Sequence, residues 1–291
     1  MEDSASAEDS HSATARRMWA LFEPIHAVTY FAPEAHAAYE DAGLRGFWRG
    51  YFTGRAAPLG PVGPEPVVAA FFSFAPAMVA RALPDAWALT APERALELRR
   101  AGAGKALRRL LAGYESEVER AAEALVPRAA GLDGSGRVLT AANASLDFPD
   151  KPVERLWHAT TLLREHRGDG HVAALVSAGL DGCEALALRA ATDLPRTELQ
   201  PYRGWTDQEW EAAEHRLTER GWLDPSGSAT DAGREVLHTV EEATDRAAER
   251  PWRALAPTEA DQLARLLTPL AKACATALRF PNPIGLPEPV S

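Results

Sequence analysis

Apolar residues recur at helical spacings along most of the chain, so a mainly α fold is expected. Trp19, Phe22, Ile25 and Phe31 share a helical register over 14–31, with Pro24 as a potential kink. Pro33 ends that pattern and opens a second helix over 34–53. The breaker-rich segment 54–66 reads as loop and 67–82 as an apolar helix kinked at Pro76. Thr90 and Glu93 have capping-box spacing ahead of a long helical region, 91–128, that Gly102 and Gly104 are placed to interrupt. The turn-rich stretch 131–152 reads as a linker.

The second half follows the same plan. A helix over 153–166 is expected to end at His-Arg-Gly-Asp-Gly, 166–170, and helix resumes over 171–192. Residues 201–204 form a turn, and Thr206 caps a helix over 207–220. A short hairpin is expected at 221–231, then a helix capped by Thr230 or Asp231 and running to about 248. A last helix spans 258–278 before a Pro-rich tail. Residues 37–46 (AAYEDAGLRG) and 173–182 (AALVSAGLDG) agree at six of ten positions, and Met18-Trp19 mirrors Leu156-Trp157 upstream. This echo implies duplication of one helical unit. The expected layout is therefore a disordered tail over 1–13, a winged-helix-like unit over 14–130, the linker, a second unit with its final helix over 153–280, and a tail over 281–291.

Composition narrows the function classes. With 46% hydrophobic and 25% charged residues, the chain is globular. The apolar run 67–80 is too short to span a bilayer, and the polar, acidic N-terminus is neither a signal nor a transit peptide. Cys183 and Cys274 form no metal motif, so a cytoplasmic location is expected. Only three of the 31 basic residues are lysines, which with abundant alanine fits a GC-rich, actinobacterial genome. Acids outnumber bases 41 to 31, a net charge of −10. DNA binding would need a local basic patch.

The segment TDQEWEAAEHRLTERGWLDPSGSATDAGREVL, 206–237, resembles the helix–wing–helix of MarR-like regulators, through Leu217, Gly221, Trp222, Leu223, Thr230, Gly233 and Arg234. The whole chain also resembles an actinobacterial helix-turn-helix family that carries the run Leu163–His171. The resemblance implies tandem winged-helix-like units with short β-wings. In such regulators the helix before the wing enters the major groove. Here 206–221 carries five acids against two arginines, a net −3, and 151–250 carries 19 acids against 12 bases, a net −7. The wing, 224–231, has no Lys or Arg. DNA binding through the usual face is therefore not expected.

The richest polar constellation is 157–171. His166, His158 and Glu165 are candidate acid–base residues. Trp157, Arg164, Arg167, Asp169 and His171 are candidate ligand-binding groups, the arginines as anion clamps. In the other half, Glu23 and His26 sit three apart among apolar residues and join the ligand-binding set. If the halves pack about a pseudo-twofold axis, His26 and the 158–171 group line one cavity. Competing with that, Glu165, Arg167 and Asp169 can simply solvate a helix end, and His158 can be a satisfied core histidine. The stretch 47–55 reads as a packing face rather than a stacking site, and 71–78 as core. His166, Asp169 and His171 match no defined metal spacing, and no metal site or cofactor is assigned.

The expected function is small-molecule binding, with enzymatic turnover left open, on a winged-helix scaffold that has lost DNA binding. A MarR-like ligand-responsive regulator is the first alternative, and a haem protein through His26 or His158, or a metal protein through His166, Asp169 and His171, is the second. A homodimer with a small-molecule ligand, and no membrane partner, is expected.

Overall fold

The structure is a computed structural model and describes residues 2–282 and 284–287. Two long helices form its centre: α1 (Glu2–Phe31) and α9 (Pro152–Ser177). They lie against each other and bury Phe22, Ile25, Val28, Leu156, Trp157 and Leu162 in one apolar core. Residues 1–13, expected as a disordered tail, are helical from Glu2 onward, because α1 extends through them. Pro24 lies inside α1 without ending it.

The packing around α1 and α9 is reciprocal. α6 (Pro92–Leu110) and α7 (Glu115–Ala130) come from the first half, and α13 (Asp231–Ala248) and α14 (Pro257–Ala275) from the second. α7 packs along α9, whereas α14 packs along α1. Each half thus covers the central helix of the other. Trp252, in the turn between α13 and α14, stacks on Phe22 of α1 with ring centroids 6.3 Å apart.

Two smaller lobes flank this bundle. The first holds α2 (Pro33–Asp41), α3 (Phe47–Ala56), α4 (Pro64–Phe71) and α5 (Pro76–Ala80) around Phe52, Phe71 and Phe74. The second holds α10 (Gly182–Ala190), α11 (Arg196–Leu199) and α12 (Asp207–Glu219) around Leu188, Trp210 and Leu217. The expected helices 34–53 and 171–192 are each broken once, at the repeated sequence. Gly43 (φ 84°) and Gly179 (φ 71°) adopt the left-handed conformation, and Leu44 and Leu180 then donate back to the carbonyls of Tyr39 and Leu175. Glycine enters that region without the Cβ penalty, which is how helices often stop. The echo is thus one helix–turn–helix corner used twice.

Four expectations on local structure change. First, the run 166–170 is not a turn, since α9 passes through it unbroken. A Cβ on Gly170 would lie 2.9 Å from Ala247 of α13 and from Arg137, so glycine here allows close helix approach. Gly102 does the same in α6, where a Cβ would meet the Ala35 backbone of α2 at 2.8 Å. Second, Thr90 caps nothing: α6 begins at Pro92 with Ala91 as N-cap. Third, residues 131–152 contain α8 (Val138–Ala144), which buries Leu139, Thr140 and Asn143. Fourth, no strand forms among the described residues; at 221–231 there is a single antiparallel bridge, Leu223 to Ala229. Thr230, the very next residue, is already the N-cap of α13 and accepts from the Gly233 amide, leaving no length for a ladder. Of the expected tail over 281–291, Leu286 packs on Ala27, Tyr30 and Leu278. Residues 283 and 288–291 lie outside the described residues. No single described helix is long and apolar enough to cross a membrane.

Candidate functional site

A cavity of about 120 Å³ opens between α1, α2, α3 and α6. His26, Tyr30, Tyr51, Arg55 and Arg99 form its wall; His36, Glu40 and Phe47 stand at its mouth. A buried apolar cavity of ~150 Å³ accommodates benzene, so this one suits a single ring or a short chain.

The wall is built on a buried hydrogen-bond chain. Thr161, on the helical face of α9 that meets α1, donates its hydroxyl proton to the Trp157 carbonyl (2.9 Å). Its oxygen can then only accept from His26 Nδ1, 3.0 Å away. That fixes the neutral imidazole as the Nδ1–H tautomer, so His26 Nε2 accepts from the Tyr30 hydroxyl at 3.0 Å. The His26 ring also stacks on Trp157, with centroids 6.1 Å apart and planes 9° from parallel. Burial, followed by the Arg164 cation, holds His26 well below the ordinary imidazole range. It is a neutral base, and Tyr30 is the phenol that presents it to the cavity.

Charges surround this chain. Glu165 receives Arg55 from α3 through two bonds, 3.1 and 3.0 Å, and Arg164 at 2.8 Å. Burial opposes its ionisation, but Arg164 and Arg55 outweigh it and keep the carboxyl below the usual range. Arg164 Nε also lies 3.5 Å from Glu23, whose carboxyl is raised because burial exceeds the pull of Arg164. Arg55 Nη1 donates to the Tyr51 hydroxyl at 3.2 Å. Arg99 projects from α6 and donates to Asn143 of α8 at 2.9 Å, with its guanidinium 5.4 Å from the Trp157 ring centre.

The structure thus brings together Glu23, His26, Trp157, Arg164 and Glu165. It separates them from the other candidates. His158 packs edge-on against Phe148, 4.8 Å between centroids. His166 is buried with neither ring nitrogen hydrogen-bonded. Burial, then the Arg137 cation, lowers it to about 4. Asp169 caps α8, accepting from the Thr140 amide and hydroxyl, both at 2.8 Å. Arg167 pairs with Asp245 (3.0 Å) and lies over Trp19. His171 donates to Thr244, 2.9 Å away, because the Thr244 proton goes to the Val240 carbonyl. Of all ten sequence candidates only His26 lines the cavity; Glu23, Trp157, Arg164 and Glu165 lie behind its wall, so the expectation that His26 and the 158–171 group share one cavity is not met. Among the described residues no group of three or more His, Cys, Asp or Glu is placed to hold a metal.

Sequence reading gave Arg55 and Tyr51 only as part of a packing face and missed Arg99. A signal for Arg99 existed. Ala95, Leu98, Gly102, Ala103 and Ala106 mark the buried stripe of α6, and Arg99 falls on it, four residues from both Ala95 and Ala103.

The other surface the sequence pointed to is α12. Its two arginine candidates are committed within the lobe. Arg216 binds Glu184 at 2.7 Å and Asp181 at 2.6 Å. Arg220 binds Glu184 at 3.3 Å and the Gly179 carbonyl at 2.6 Å. Asp207, Glu209, Glu211 and Glu219 of α12 are all exposed, and the exposed cations beside them, Arg216 and Arg220, are the ion-paired ones.

A family model described as a helix-turn-helix family matches residues 15–281. No curated protein and no solved structure matches the chain.

Proposed function

The chain belongs to this helix-turn-helix family, and on that premise we propose that it uses the scaffold to bind a small molecule rather than to read DNA through α12. The observation that carries this reading is the cavity between α1, α2, α3 and α6, whose wall is polar, buried and preorganised around His26, Tyr30, Arg55 and Arg99. A concave site with a few convergent polar groups among aromatic walls is the ordinary form of a small-molecule site. Any chemistry on the bound molecule would fall to Tyr30 and His26, the acid–base pair facing it. The reciprocal packing of α7 and α14, and the corner repeated at Gly43 and Gly179, support reading the molecule as two fused helix-turn-helix units. In that reading α10–α13 is a MarR-like unit with a vestigial wing. Fragment soaking of crystals of the full chain tests the proposal. Density is expected against Tyr51 and Arg99; density only elsewhere, with this cavity empty, would remove the reading.

Family membership favours a second reading, a DNA-binding regulator. It requires phosphate contacts from a surface whose arginines are already paired and whose net charge is negative. Anisotropy of a labelled GC-rich duplex separates the two. Saturable binding that weakens with salt and with Arg216→Ala would place the regulator first.

A further inference from the structure

The cavity has a charge imbalance that its own residues do not resolve. Arg99 is 6% exposed. It makes no ion pair among the described residues, and its Nε has no hydrogen-bond partner. Its one side-chain acceptor, Asn143, is neutral, and that amide is itself fixed by donating to the Leu139 carbonyl at 2.8 Å. The neighbouring buried guanidinium groups differ. Arg55 and Arg164 both reach Glu165, and Arg167 reaches Asp245, at 2.8 to 3.0 Å. Arg164 also lies 3.5 Å from Glu23, so each of these guanidinium groups has a carboxyl within reach and Arg99 has none among the described residues. The one acid lining the cavity, Glu40, is exposed at the mouth. Buried charges are normally paired, because an unpaired one forfeits its hydration without compensation.

We propose that the missing partner is the ligand, and that the cavity takes a small organic monocarboxylate with Arg99 as its countercharge. This rests on the small-molecule reading above and narrows it to one charge class. The carboxylate meets the Arg99 guanidinium where it lines the cavity, and the organic body lies against Tyr30, Tyr51 and Phe47. A cation is excluded by the same imbalance. A single unpaired guanidinium in a cavity of about 120 Å³ matches one negative charge on a small body.

The test compares sodium benzoate with benzamide, its neutral near-isostere, by calorimetric titration of the full chain, with cyclohexanecarboxylate as a second anion. A charge-assisted hydrogen bond is worth about 1.5–3 kcal/mol, so benzoate is expected to bind about ten- to a hundredfold more tightly than benzamide. Arg99→Gln is expected to abolish that preference, bringing benzoate down to the level of benzamide, while Arg99→Lys retains part of it. If Arg99→Gln does not fold, the wild-type comparison decides alone. Equal binding of benzoate and benzamide would overturn the anion proposal and leave the small-molecule reading standing. If neither carboxylate binds up to about 10 mM, the anion proposal also fails; a neutral fragment found in the cavity by soaking would then keep the broader reading, and an empty cavity would end both.

Discussion

At the scale of single residues, the molecule separates two kinds of buried histidine. His26 has both ring nitrogens bonded, to Thr161 and Tyr30. His166 has neither bonded, and the charged groups acting on it are Arg137, Arg250 and Asp133. Burial leads in lowering His158 and His166 to about 4. A histidine neutralised by folding is protonated first in the unfolded chain. The resulting stability is full above pH ~6.5 and is lost as pH falls from there toward about 4. A shift of this size corresponds to on the order of 3 kcal/mol per group. His166→Leu is expected to flatten the acid limb of urea-derived stability between pH 6.5 and 4 and to leave stability at pH 7.5 equal or higher, since two unsatisfied nitrogens disappear. An unchanged limb would show that His166 has partners this structure lacks. The sequence made His26, Glu23, Trp157, Arg164 and Glu165 readable because helical spacing alone puts chemistry-bearing groups near one another. It could not separate His166 from them, because a buried unpartnered imidazole and a catalytic one have the same local sequence. Arg55 and Arg99 were harder still, since their meaning depends on whether a carboxylate is within reach: Arg55 meets Glu165, 110 residues away in sequence, whereas Arg99 meets only the neutral Asn143.

At the scale of elements, glycine was the main source of misreading. Gly168 and Gly170 look like a helix end, since each costs ~1 kcal/mol of helix propensity against alanine. α9 absorbs that cost because α13 closes on Gly170. The distinction from Gly43 and Gly179, which do end helices, lies in backbone conformation and in the contact across the helix, neither of which the residue name encodes. Gly170→Ala gives a direct check. Propensity alone says it stabilises; contacts of 2.9 Å on two sides say it overpacks. Overpacking costs ~1–3 kcal/mol, so a net loss of stability in urea unfolding is expected, and a gain would mean that α13 moves aside at no cost. Asp169 carries the same lesson. In sequence it sits among histidines like a ligand, yet it is the cap that docks α8 onto α9.

For the whole molecule, the duplication signal was present in ten residues, but what it builds was not. The sequence suggested two units joined by a linker, whereas α7 and α14 each cover the central helix of the opposite half. Such exchange makes the halves interdependent. Fragments 1–145 and 146–291 are expected to lack a cooperative thermal transition separately and to copurify when expressed together; a sharp transition in either alone would refute the exchange. The cavity lies where α1, at the centre of this arrangement, meets the lobe of α2 and α3, so a ligand there would tie lobe to bundle. Ligand binding in this cavity is tested most directly by a thermal-shift screen of a small-molecule library, run in parallel on the wild-type chain and on His36→Trp, which fills the cavity mouth. Compounds are expected that raise the wild-type transition and leave the variant unmoved. Hits that shift both proteins alike, or no hits against the wild type, would rule out binding there.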